Sequence, residues 1–235
     1  MRGQPLKQST QPVLDDCLLL DLSGHPADGS GQYIPGDGEM THEERESGAA
    51  KITGRLERNI GKLRYVSIAV SALLKQTEKA ALEALARLYK DKKFTITLLP
   101  AAGDVLAREE ESLSILKSAG VCAKDIVLAG IVPNIDDMDK LFRFSGSGIH
   151  ILYSVFFDEA MSKGICLEEQ LVSIKYLIKL GFINNILLSA GMNRNKNCDL
   201  RKENIKLTDR LKEIGLEKDQ ISKIFWQNPY RLYFG

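Results

Sequence analysis

Short apolar runs recur along this chain, separated by longer segments of helical periodicity, and that alternation constrains the fold more than any other feature. The runs are Cys17–Leu22, Arg64–Val70, Phe94–Leu99, Asp125–Ile131, Ile149–Val155 and Asn185–Ser189. Each is nearly continuous in apolar residues and too short for an ordinary helix, the pattern of a strand buried on both faces. Between them, Thr77–Tyr89 places Ala80, Leu82, Leu85, Ala86 and Tyr89 near one helical face. Thr41–Ile60 opens with Thr-His-Glu-Glu, a capping box in which the Thr hydroxyl and the second Glu satisfy free N–H groups of a first turn. Glu109–Ala119, Ile135–Phe144 and Leu167–Leu180 continue the helical series, and Leu207–Ile214 with Lys218–Phe225 closes it. Buried strands alternating with amphipathic helices predict an α/β fold with a parallel sheet covered by helices. Periodicity leaves a doubly wound sheet and a closed barrel equally open. Residues 1–16 read as a flexible leader and 17–235 as one domain, with Ser23–Gly38 as its long irregular connection.

Composition removes several classes of partner. A formal net charge of +1 lacks the excess of Lys and Arg that nucleic-acid binding rests on. No apolar run reaches the roughly 20 residues needed to span a bilayer, and the polar start has no signal-peptide core. Cys17, Cys122, Cys166 and Cys198 lie far apart without a Cys-x-x-Cys pair, as expected of thiols in a reducing, cytoplasmic setting rather than of a zinc or disulfide framework.

Several segments, in order, resemble the bacterial phosphotriesterase family of the amidohydrolase superfamily. Residues 77–87 are similar to the helix after that family's lysine strand, and 111–121 followed by 125–130 to a helix, Gly turn and histidine strand. Residues 136–141 and 148–153 resemble the next helix and strand, Asn185–Ser189 the last barrel strand, and Asn228-Pro-Tyr-Arg-Leu232 the closing motif. The resemblance covers residues 17–235 and implies a TIM-type (β/α) barrel. It also implies a hydrolase with two divalent metals that activate a bridging water, held by side chains at strand C-termini.

Those ligands are not where the resemblance puts them. The family's bridging lysine or glutamate corresponds to Ser67, one ligand histidine to Leu98, the next to Gly130, and the last-strand His-Asp to Ala190-Gly191. The family's first strand, with its His-x-His, and its first two βα units should precede Cys17. Sixteen residues cannot hold two units of roughly 30 residues each. The expectation is an incomplete barrel of about six βα units without a metal centre or other cofactor, and with no catalytic residues assigned. Such a chain reads as a catalytically degenerate relative that binds a small molecule or serves in an assembly. The alternative is an active hydrolase of phosphoester, lactone or ester substrates using rearranged residues, such as His25 with Asp21 or Asp104. Two open strand edges, near Cys17–Leu22 and Asn185–Ser189, predict covering by the leader or self-association.

Four residues are candidates for a binding mouth. His25 follows the first strand, Ser67 lies near a strand end, and Asn193 and Arg194 follow the last strand, where Arg offers a planar fork to a small anionic ligand. Each competes with a plain reading as a solvated loop or strand residue. His42 reads as a solvated first-turn residue and His150 as structural, near the start of its strand and away from the mouth. Gly146 and Gly148 precede a strand, whereas a phosphate cradle follows one, so they read as a turn.

Overall fold

Six strands pair in the order in which the chain makes them. The structure is a computed structural model that describes residues 17–21, 65–70, 74, 76–100, 109–129, 138–154, 167–189 and 200–235. The strands are β1 (Cys17–Asp21), β2 (Tyr65–Val70), β3 (Thr95–Pro100), β4 (Ile126–Ala129), β5 (His150–Ser154) and β6 (Ile186–Ser189). Helices α1 (Gln76–Asp91), α2 (Glu109–Ser118), α3 (Met138–Gly146) and α4 (Leu167–Lys179) fall between successive strands from β2 onward. After β6 come α5 (Leu200–Glu213), α6 (Lys218–Ser222), a π-helical turn (Lys223–Gln227) and α7 (Asn228–Phe234). The sequence-read leader, the Ser23–Gly38 connection and the Thr41–Ile60 helix lie outside the described residues.

All neighbouring strands are parallel, in the order β1-β2-β3-β4-β5-β6. A doubly wound sheet reverses its order at a switch point; this one does not. Right-handed crossovers between strands laid down in sequence carry every helix to the same side of the sheet. The burial pattern agrees with that layering. Val66, Ile68, Ile96, Leu98, Ile126, Leu128, Ile151, Tyr153, Ile186 and Leu188 share one buried cluster with Leu82 and Leu85 of α1, Leu116 of α2, Leu141 of α3, Ile174 and Leu177 of α4, and Leu207 and Leu211 of α5. Strand residues of the opposite parity, Val127, Ala129 and Leu187, are buried outside that cluster, on the other face of the sheet. Both faces of β4 and β6 are thus apolar, which is why their sequences show no alternation.

The helix ends are set by local chemistry. Gly148, with φ 95°, ends α3 in the left-handed region, and the Ile149 N–H then bonds the Phe144 carbonyl at 3.1 Å. A side chain there would be strained, so the Gly146–Gly148 segment is a helix-terminating turn. Between α1 and β4, the Tyr89 hydroxyl donates to the Asp125 carboxylate and accepts the Cys122 N–H at 3.3 Å, tying helix to strand entry. Burial and the bond to Asp125 raise the Tyr89 pKa above its ordinary value, so the hydroxyl stays a donor.

The short helix α7 sits at the N-terminal ends of the strands and reaches four of them. Asn228, itself 1% exposed, donates its amide to the carbonyls of Ile183 at 2.7 Å and Ile186 at 2.8 Å, at the start of β6. The Thr95 hydroxyl, at the start of β3, donates to the Leu232 carbonyl at 3.4 Å. Tyr233 packs at a tilt of 59° against Tyr65, at the start of β2, with ring centroids 5.1 Å apart. The Arg231 charge acts on His150, at the start of β5. Pro229, which lacks an N–H and crowds the preceding turn, sits one residue beyond the π-helical turn, where the wider winding gives it room. No helix among the described residues is long and apolar enough to cross a membrane.

Candidate functional site

In a parallel sheet wrapped by helices, side chains that meet a ligand come from the strand face turned away from the helices and from the C-terminal strand ends. Strand register fixes which residues share that face. Ser67, Thr97, Val127 and His150 are register partners across β2 to β5. One step further along, Ala129, Leu152 and Leu187 form a second row, and Ser189 follows at the C-terminal end of β6. Ser67 is half-buried, Thr97 is buried, Leu99 and Leu152 are half-buried and Ser189 is exposed. Apart from the His150 imidazole at the N-terminal end of β5, hydroxyl and alkyl groups line the described part of this face. Hydroxyls offer hydrogen bonds to a polar ligand, but they are neutral and do not supply the anionic or imidazole ligands a divalent cation requires.

Of the four mouth candidates, the structure describes Ser67, in the middle of β2. His25, Asn193 and Arg194 lie outside the described residues, as do Asp104, Gly130 and Ala190-Gly191. One sequence equivalence needs correction. Leu98, matched to a ligand histidine, is fully buried against the helices, and the inward positions of β3 are its neighbours Thr97 and Leu99. The side chains at the corrected positions are a hydroxyl and a butyl group, so the shift brings no ligand into the mouth.

His150 is the first residue of β5, at the far end from the mouth, and only 7% exposed. Burial and the nearby Arg231 guanidinium lower its pKa from 6.5 to about 4, against a hydrogen bond to the Lys124 backbone and the charge of Asp125, which favour the proton. Its Nδ1 has no hydrogen-bond partner among the described residues. A neutral imidazole buried at a strand start and bonded to the Lys124 backbone is structural in character. Sequence reading located it but missed Arg231 near it, and Asn228 under the start of β6, as parts of the floor. The signal available was the Asn228-Pro229 pair, in which Pro suits a first helical turn.

A binuclear metal centre, which the resembled family implies, can be tested against these residues. Among the described residues no group of three or more His, Cys, Asp or Glu could hold a metal ion. The described residues do not fit that centre.

No family model matches the chain, and no curated protein matches it. Solved structures do. One is the phosphotriesterase homology protein from Escherichia coli, complexed with phosphate in its active site, at 14% identity and TM-score 0.63 over 79% of this chain and 66% of that one. Another is the lactonase Lmo2620 from Listeria monocytogenes, at 20% identity and TM-score 0.67 over 84% of this chain and 65% of that one. This chain spans about two thirds of the length of either. At such identities the likeness is one of fold, and the first of these proteins belongs by name to the family that the sequence resembles.

Proposed function

We propose that this chain is a phosphotriesterase-like (β/α) barrel, built from about six βα units, that binds a small anionic molecule at its mouth without metal-dependent hydrolysis. The observation that carries the reading is the chemistry of the inward strand positions. Where a dinuclear centre would need a bridging carboxylate and imidazoles, β2 offers Ser67, β3 offers Thr97 and Leu99, and β4 offers Ala129. Sequential strand order and fold likeness to a phosphotriesterase homology protein support the barrel. The ligand would be held by His25 after β1, by the Ser67 hydroxyl, and by Asn193 with Arg194 after β6. An arginine fork with neutral donors suits phosphate or carboxylate.

Two measurements test this. Freshly purified protein should carry no stoichiometric zinc, manganese or other transition metal by elemental analysis; two tightly bound equivalents would overturn the reading. Inorganic phosphate should bind measurably by calorimetry, with affinity reduced about tenfold or more in Arg194→Ala, the loss expected for one charge-assisted bidentate contact. Phosphoester, lactone or ester hydrolysis abolished by His25→Ala would replace the binding role with a rearranged hydrolase.

A further inference from the structure

The outer surface of α4 carries two large apolar side chains, Val172 and Tyr176, among its charges. Gln170, Leu171, Ser173, Ile174 and Leu177 turn inward. On the opposite side lie Glu169, Val172, Tyr176 and Lys179, all exposed, with Val172 at 58% and Tyr176 at 41%. Leu180, 40% exposed, flanks this line, and Phe142 of α3, 45% exposed, adjoins it through an edge contact with Phe182 at 5.5 Å. Apolar side chains clustered on an otherwise solvated helix layer mark a contact surface.

The spacing identifies the partner. Residues 169, 172, 176 and 179 recur at intervals of three and four, the seam along which two helices interlock. The seam reads Glu, Val, Tyr, Lys, and it is complementary to itself when reversed. Laid antiparallel on a second copy, Glu169 faces Lys179 and Val172 faces Tyr176, and each contact occurs twice about a two-fold axis. A parallel arrangement would set Glu169 on Glu169 and Lys179 on Lys179. We infer that α4 forms a two-fold interface between two copies of this chain, with Val172 and Tyr176 at its centre and the Glu169–Lys179 pairs at its ends.

The four large apolar side chains expose on the order of 300 Å² per copy, against roughly 800 Å² per partner in a standard interface. The dimer is therefore of modest strength, in about the micromolar range.

Sedimentation velocity across a dilution series tests this. Wild type should shift from one to two chain masses with rising concentration. Tyr176→Glu should remain monomeric with unchanged circular dichroism, because the side chain is already exposed. Glu169→Lys should weaken association about tenfold, since two-fold symmetry turns both end pairs repulsive. Adding Lys179→Glu to Glu169→Lys should restore it. A wild type that stays monomeric throughout overturns the inference. So does a dimer indifferent to these changes, whether it forms through open strand edges or is lost instead in Trp226→Gln, which alters the separate exposed aromatic face near α7.

Discussion

His150 sits in an environment far from water, and that departure is measurable. With a folded pKa of about 4 against an ordinary 6.5, the folded protein holds this imidazole neutral where an unfolded chain would protonate it. Stability contributed by the neutral form is complete above pH 6.5 and is lost as pH falls from there toward 4. The loss is on the order of 3 kcal/mol. The pH dependence of wild-type unfolding, minus that of His150→Gln, should show a fall of about this size in that window; parallel profiles would contradict the assignment. The position of His150 at a strand start was legible in the sequence, because Gly148 marks the turn before it. The phase of β3 was legible as well: Thr95 and Thr97 alternate with Ile96 and Leu98, which marks Leu98 as facing the helices, although Leu99 after it blurs the pattern.

At the level of elements, the strands were the most legible part, each observed within a residue or two of its apolar run because buried parallel strands carry an unmistakable composition. Helix α5 extends further toward the N-terminus than its apolar pattern indicated, since Leu200 to Lys206 is dominated by polar helix formers. Helix α7 was missed as a helix. Its Asn-Pro start argues against continuing a helix, and the π-helical turn that makes continuation feasible has no sequence signature. Its anchor is Asn228, which satisfies two carbonyls from a buried position. Asn228→Ala should cost about 2–3 kcal/mol by stranding both acceptors, read as a lower urea midpoint. Amide exchange at the starts of β2, β3 and β6 should rise with it. A neutral effect would mean that α7 is held by its other contacts, the Tyr65–Tyr233 pair and the Thr95–Leu232 and Arg231–Asn184 hydrogen bonds.

For the molecule as a whole, periodicity pointed to a parallel sheet under helices but not to its strand order, which runs in sequence without the reversal of a doubly wound sheet. The candidate mouth is less legible for a different reason. Its residues come from connections after strands, where no periodic constraint marks them, so only the strand-borne Ser67 could be placed by pattern. One buried cluster runs from Val66 to Ile224 through α1 to α5, which makes the described core a single cooperative body. Leu85→Ala in α1 and Leu211→Ala in α5, both fully buried, should each cost about 2–5 kcal/mol and lower one shared calorimetric transition. Two separate transitions would show independent halves. The floor supplied by α7 also carries a timing consequence. Thr95 and the Leu232 carbonyl that receives its hydroxyl are 137 residues apart. At a synthesis rate of roughly 5–20 residues per second, β2 and β3 emerge from the ribosome on the order of ten seconds before their seal does. Throughout that interval the nascent sheet is unfinished underneath and open to capture by a chaperone.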